Sequence, residues 1–278
     1  MAQKKSRLFP VAFLAAKATL AALKLTNHEG GTLPGFIAEG IDPAFLGDIA
    51  KPEQIVFITG TNGKTTTNNL LNDLLADNGY QTVTNRVGGN ISSGFASSFA
   101  KNATWRGTSK TKLAVMEFDE LSGPRIFPYL QPDILSVTNL FRDTFSRSAT
   151  PDYVFDVMDK GIPASTHLIL NADDMISCRL APQCTHRTYY SIARLAEDTA
   201  EPVGIVSDLT ACPQCGGKLK WDYAHLRHLG HATCEECGYT NPTPDYEVIS
   251  VDPATGTFVV KEHCHEGAPT YEYKLNSY

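Results

Sequence analysis

A mostly parallel α/β sheet interrupted by a small cysteine-rich insert is the fold this sequence predicts, on three observations. A short apolar run, "QIVFITG", ends in a glycine loop that opens onto a helical pattern from Asn68 to Asn78. Further short apolar runs recur with helix-compatible stretches between them. Two C-x-x-C pairs then break the alternation between about residues 207 and 245. Strands alternating with helices cover both faces of a parallel sheet, so its strands read as continuous apolar runs.

The elements follow in order. At 278 residues the chain can bury a substantial core. Its first 28 residues hold Lys4, Lys5, Arg7, Lys17 and Lys24 and no acidic residue. "SRLFPVAFLAAKATLAALKL" reads as an amphipathic helix with Phe9, Phe13, Leu20 and Leu23 on one face. That face either packs on the protein body or, over residues 5–25, meets an anionic membrane surface. A turn-rich stretch reaches about residue 52, and the buried strand "QIVFITG" follows. Leu70, Leu71, Leu74 and Leu75 mark the apolar face of the next helix, and Gly79 stops it. "TVT" near 82, "LAVMEF" at 113–118, "DILSVTNL" at 133–140 and "HLILNAD" at 167–173 are strands. "ISSGFASSFAK" and "PDYVFDVMDKGI" are helices. Beyond the insert, "YEVISVDPATGTFVVKE" is a hairpin and "TYEYKL" a last strand. The expected division is therefore 1–52, 53–206, 207–245 and 246–278.

Some functions are excluded early. A net charge of -6 argues against a nucleic-acid binder, which would present a basic face. No apolar run approaches the roughly 18 residues of a membrane span. Seven cysteines without a secretion signal point to a reduced, cytoplasmic protein with a metal site.

"ITGTNGKTTT" lacks the first glycine of the usual phosphate-loop pattern, since Ile58 stands there. Its setting between strand and helix still favours an anion, because backbone N–H groups and the helix dipole converge on the turn. Gly60 and Gly63 permit a tight turn along Gly60-Thr61-Asn62-Gly63-Lys64-Thr65-Thr66. Lys64 would meet the β/γ-phosphates of ATP, and the Thr65 hydroxyl suits Mg²⁺. In the insert, Cys212, Cys215, Cys234 and Cys237 are spaced C-x2-C-x18-C-x2-C. Two such knuckles close a tetrahedral Zn²⁺ site with no open position, a structural zinc; iron matches on ligand type alone. His225, His228, His231 and His263 compete weakly as ligands. Cys178, Cys184 and Cys264 lack a motif and are expected to be buried.

"GTNGKTTT" resembles the ATP loop of the Mur ligase superfamily, which includes the folylpolyglutamate synthases. Those enzymes phosphorylate a carboxylate with ATP, and an amine displaces the phosphate. "TNRVGGNISSG" resembles the family's Asn-Gly-rich loop and brings in Asn85 and Asn90. "VMEFDE" resembles the strand end presenting a glutamate to Mg²⁺, here Glu117, with Asp119 and Glu120 read as solvated charges. "LNADD" resembles the segment near the nucleotide, here Asn171, Asp173 and Asp174. With the zinc ribbon, "GGTLPGFIAEGIDPAFLGDIA" and "TNLFRD", the chain is similar to the MurT family of lipid II isoglutaminyl synthase subunits. The resemblance implies Lys64 and Glu117 as catalytic residues. It also implies a glutaminase partner, GatD, whose ammonia amidates the α-carboxylate of D-glutamate in the lipid II stem peptide. The membrane's inner face is then a natural location.

The chain departs from that family twice. After "NLFRD" the family continues Gln-Leu-Asp-Arg-Tyr-Gly-Glu, whereas this chain has Thr144-Phe145-Ser146-Arg147-Ser148-Ala149-Thr150. Asn139, Arg142, Asp143 and Arg147 match, and the acidic positions at 146 and 150 are gone. The family's C-terminal ligase domain is also expected to be missing, in a fragment or a shortened relative. Two other readings stay open: a ligase of the folylpolyglutamate kind, and a nucleotide-binding regulatory subunit that has lost catalysis.

Overall fold

The structure, a computed structural model, describes residues 5–28, 31–86, 89–141, 151–200, 209–226 and 228–275. Lys4, Arg142, Asp143 and the 144–150 segment lie outside them. The chain divides into two compact units, Met1–Ser136 with Asp156–Thr166 and Val137–Phe155 with His167–Tyr278.

In the first unit the basic stretch folds as α1 (Phe9–Leu25), with a proline in its first turn, where the missing N–H costs nothing. Phe9, Ala12, Phe13 and Ala16 are buried, and Phe9 stacks on Phe45 at 5.6 Å. The helix thus packs on the protein body. Leu20 and Leu23 are only half-buried, so the inward face is confined to the first half. Among the described residues no helix is long and apolar enough to cross a membrane.

The turn-rich stretch holds two helices that its glycines and prolines concealed, α2 (Leu33–Ile41) and α3 (Phe45–Asp48). Next come β1 (Gln54–Thr59), α4 (Lys64–Asp77), β2 (Thr82–Val83), α5 (Ser92–Asn102), β3 (Leu113–Glu117), α6 (Gly123–Ile126) and β4 (Ile134–Val137). These strands lie in the order β4-β1-β3-β2. β1 and β2 both pair parallel with β3, with Ile58 opposite Glu117. A phenylalanine cluster fills the core: Phe57 stacks on Phe118 at 5.4 Å and meets Phe95 edge-on at 5.1 Å.

Gly35 is not a turn residue. It lies on α2 where that helix meets α5, and an added Cβ would stand 2.0 Å from the Ser93 carbonyl oxygen. A backbone atom cannot swing aside as a side chain can. Gly35→Ala is therefore expected to cost about 3 kcal/mol, the upper end for overpacking, measured by urea unfolding.

α4 corrects a second reading. It begins at Lys64, and its buried residues are Asn68 and Asn72 rather than the leucines, Leu74 being exposed. The Asn72 amide donates to the Val115 carbonyl at 3.3 Å and its oxygen accepts from Thr82 at 2.6 Å. Polar groups satisfied in this way can be buried against a sheet.

The second unit comprises α7 (Pro151–Asp159), which starts in it, and β5 (His167–Asn171), β6 (Arg187–Ile192), β7 (Leu219–Leu226), β8 (Leu229–Cys234), β9 (Tyr246–Asp252), β10 (Thr257–Glu262) and β11 (Thr270–Lys274). Its sheet order is β11-β10-β9-β6-β5. β5 pairs parallel with β6, and β6 with β9, while β9, β10 and β11 are antiparallel. The expected hairpin is β9–β10, turning through Gly256 at φ 70°. Arg187 of β6 donates to the carbonyls of Cys178, Leu180, Ala181 and Cys184, binding the preceding loop to the strand. Cys178 and Cys184 are buried as expected; Cys264, after β10, is exposed instead.

Candidate nucleotide and metal sites

The glycine loop leaves β1 at Gly60, φ 129°, and enters α4 through Gly63 at φ 81°. A left-handed residue at a helix N-cap is cheap only for glycine. Lys64 is the first residue of the helix; its Nζ donates to the Gly60 carbonyl at 3.0 Å and lies 3.6 Å from Glu120 Oε1. That same oxygen accepts from the Gly60 N–H at 3.0 Å. Burial raises the Glu120 carboxyl above its usual 4.5, and the nearby Lys64 charge opposes the rise. Thr61 is half-buried, while Asn62, Thr65 and Thr66 are exposed at the mouth.

Glu117 ends β3 beside this loop. Its Oε2 accepts from Thr65 Oγ1 at 2.7 Å, and its Oε1 from Asn90 Nδ2 at 2.9 Å. Asn85 fixes the backbone there: its Oδ1 accepts from the Glu117 N–H and its Nδ2 donates to the Glu117 carbonyl, both at 2.8 Å. The structure thus brings Lys64, Thr65, Asn85, Asn90 and Glu117 together around one turn. A hydroxyl and a carboxylate side by side are hard oxygen donors, the set that suits Mg²⁺.

Asn171, Asp173 and Asp174 follow β5 in the second unit. Asn171 donates to the Thr138 carbonyl at 3.0 Å, and its oxygen accepts from the Asp173 N–H. Asp174 is fully buried; its carboxylate accepts from the N–H groups of Leu140 and Ile176. In this arrangement it anchors backbone, with the buried His228 ring 3.8 Å away.

Asp173 accepts from the Ile192 N–H at 2.8 Å, yet burial lifts its carboxyl from 3.8 to about 6. Between those values the folded chain keeps a proton that the unfolded chain has released, so stability falls as pH rises through that window. The loss is about 3 kcal/mol at ~1.4 kcal/mol per pKa unit. Asp173→Asn is expected to flatten this part of the profile in urea unfolding between pH 4 and 8.

In the insert the sulfurs of Cys212, Cys215, Cys234 and Cys237 all lie within 4.8 Å of one another. Cys212 and Cys237 are 3.7 Å apart, Cys215 and Cys234 3.5 Å. Each C-x-x-C turns through a glycine of positive φ, Gly216 and Gly238. N–H groups of Gln214, Gly217 and Cys237 point at sulfurs at 3.4 Å, as donors to thiolates do. Four convergent sulfurs are compatible with zinc. The four candidate histidines have other neighbours: His225 faces Asp198, His228 Asp174, His231 Asp222 and His263 Glu247.

A family model described as the Mur ligase middle domain matches residues 58–208, from the end of β1 through both the glycine loop and the turn after β5. The chain belongs to the Mur ligase family. Among curated relatives it is 36% identical over 245 residues to the MurT subunit of lipid II isoglutaminyl synthase from Staphylococcus aureus. That match covers 86% of this chain and 54% of the relative. The Streptococcus pneumoniae MurT subunit is 34% identical over 229 residues, 80% of this chain and 49% of the relative. The chain thus spans about half the length of these relatives. Among solved structures it resembles a pseudomurein peptide ligase type C from Methanothermus fervidus, with a TM-score of 0.61 and 25% identity. That likeness covers 84% of this chain and 44% of the other.

Within this Mur ligase chain, sequence reasoning missed Glu120. Read as a solvated charge, it is buried and holds both the loop amide of Gly60 and the Lys64 ammonium. Its position three residues after Glu117 was the available signal, because the end of a parallel strand is where such sheets collect ligands. Asp119 has a local role, accepting from the Leu121 N–H to start the following turn.

Proposed function

We propose that this chain is the ATP-handling portion of a lipid II isoglutaminyl synthase subunit. Its reaction would be amidation of the α-carboxylate of D-glutamate in the stem peptide, with ammonia from a GatD-like glutaminase partner. The observation that carries the proposal is Lys64, Thr65 and Glu117 converging on one glycine turn in a chain similar to MurT subunits. A carboxylate is inert to ammonia until one oxygen becomes a leaving group. Attack by that oxygen on the γ-phosphorus releases ADP and gives an acyl phosphate; ammonia then adds at the carbonyl carbon and phosphate departs. Phosphoryl transfer demands positioning and charge stabilisation more than covalent help. Loop N–H groups and Lys64 would hold the phosphates, with Gly60, Thr61, Asn62, Gly63 and Thr66 shaping the cradle. Thr65 and Glu117 would hold Mg²⁺, which supplies charge neutralisation between phosphate oxygens. Asn85 and Asn90 would orient Glu117.

Zinc at the four cysteines would be structural, and the functional division would follow residues 1–52, 53–206, 207–245 and 246–278. The deciding experiment supplies lipid II, ATP, glutamine and a GatD-like partner and follows amidated product by mass spectrometry. ATP-dependent amidation is expected with the full-length protein. ATP binding without turnover would instead favour the regulatory reading.

A further inference from the structure

A second site lies in the first unit, in a cleft of about 670 Å³ beside α1 that none of the glycine-loop residues lines. Lys17 and Lys24 of α1, Arg86 after β2, Lys101 of α5 and Lys110 line it. Among the described residues no carboxylate does. In a chain of net charge -6 this concentration runs against the average. It arises because two acid-free basic stretches, residues 1–28 and 101–112, meet there.

Lys17 is held by the surrounding structure. Its Nζ donates to the Ala103 carbonyl at 2.5 Å and stands over the rings of Phe13 and Trp105, at 5.4 and 5.6 Å. Its charge is thus held by a dipole and two aromatic faces. Burial, and then the Lys110 charge, lower its pKa. Of these cations, only Arg86 has an acidic partner among the described residues, Asp73 at 2.7 Å. Thr84, also in the lining, carries a hydroxyl with no hydrogen-bond partner.

We propose that this cleft binds a diphosphate group. Several ammonium groups around one concavity suit a multiply charged phosphate, because lysine acts as a point charge and needs no fixed planar geometry. The volume falls within the range of small-molecule sites, roughly 300–1,000 Å³, with room for a sugar attached to the diphosphate. The source of that group rests on the proposed function, since lipid II joins its glycan to its lipid through a diphosphate. α1 also leaves Val11, Leu14 and Leu25 uncovered, an apolar face fitting the lipid end.

The test is calorimetry with inorganic pyrophosphate in a Lys64→Ala background, which disables the glycine loop. Binding is expected, weakened about thirtyfold when Lys101→Glu and Lys110→Glu are added, as for loss of two charge-assisted contacts. With Lys64 intact, the same two changes are expected to leave ATP affinity within about twofold, showing the unit still folded. No pyrophosphate binding in Lys64→Ala, or equal binding with and without the two glutamates, overturns the proposal. Phosphatidylcholine vesicles doped with a polyprenyl diphosphate separate the sources: co-sedimentation supports a lipid-linked ligand, and pyrophosphate binding alone supports a free one. Equal co-sedimentation with phosphatidylglycerol vesicles would reduce the cleft to general charge attraction and overturn it. None of these readouts needs amidation, so an inactive ligase assay and a failed cleft remain distinguishable.

Discussion

A Cys212→Ser variant is expected to purify without metal and the parent with one zinc per chain, measured by elemental analysis. A serine hydroxyl is a poor zinc ligand, and three thiolates cannot close a tetrahedral site that needs four. The effect on folding should be large because the insert has little else to hold it. β7 and β8 form a sheet of two strands, which is marginal alone in water. Structural zinc contributes apparent binding energies of about 10–16 kcal/mol in small zinc domains. The damage should also spread. Asn241 accepts from the Ala232 N–H and donates to the carbonyls of Gly230 and Ala172, and the Tyr239 hydroxyl donates to the Met175 carbonyl. Those bonds join the insert to the turn that holds Asp173 and Asp174. A melting temperature lowered by about 10 °C or more is therefore expected, with loss of amide protection at 172–175. Cys264→Ser, which changes an exposed cysteine outside the cluster, should alter neither zinc content nor melting. A Cys212→Ser protein that melts like the parent would remove the structural role of the metal.

What could be read in advance follows from how local each feature is. β1, the glycine loop and the β9–β10 hairpin are written in consecutive residues, and so is the cysteine spacing. The errors lie where a distant partner decides. The leucines of α4 give a regular apolar face, yet Asn72 turns inward because Val115 and Thr82 offer it hydrogen bonds, and Asn68 beside it accepts from the Asn72 amide. α2 looks like punctuation until α5 supplies the surface against which only Gly35 fits. β6 escaped notice because "RTYYSI" is neither continuously apolar nor strictly alternating, and all but one of its first five residues are half-buried. Glu120 became part of the loop only when the sheet brought it to Lys64, 56 residues earlier in the chain.

That pair supports the second large effect. Lys64→Ala is expected to weaken ATP binding by roughly a hundredfold, the loss of a charge-assisted contact worth about 2–3 kcal/mol. It should also leave Glu120 buried with its main opposing charge gone, so that carboxyl rises further above 4.5. The sign then follows. A buried acid of raised pKa keeps its proton in the folded state over a wider range, so the variant loses more stability than the parent as pH climbs above 4.5. At neutral pH the extra loss should be on the order of 2 kcal/mol, less than for a wholly enclosed pair because both side chains retain some exposure. Adding Glu120→Gln removes the stranded charge, and the amide oxygen can still accept from the Gly60 N–H. The double variant should therefore regain stability and lose its pH slope while still failing to bind ATP. This cycle separates the lysine's two roles, since stability returns with the glutamine and nucleotide affinity does not. If Lys64→Ala kept full ATP affinity by equilibrium dialysis, Lys64 would be left as Glu120's partner alone, and the phosphates would have to be held elsewhere.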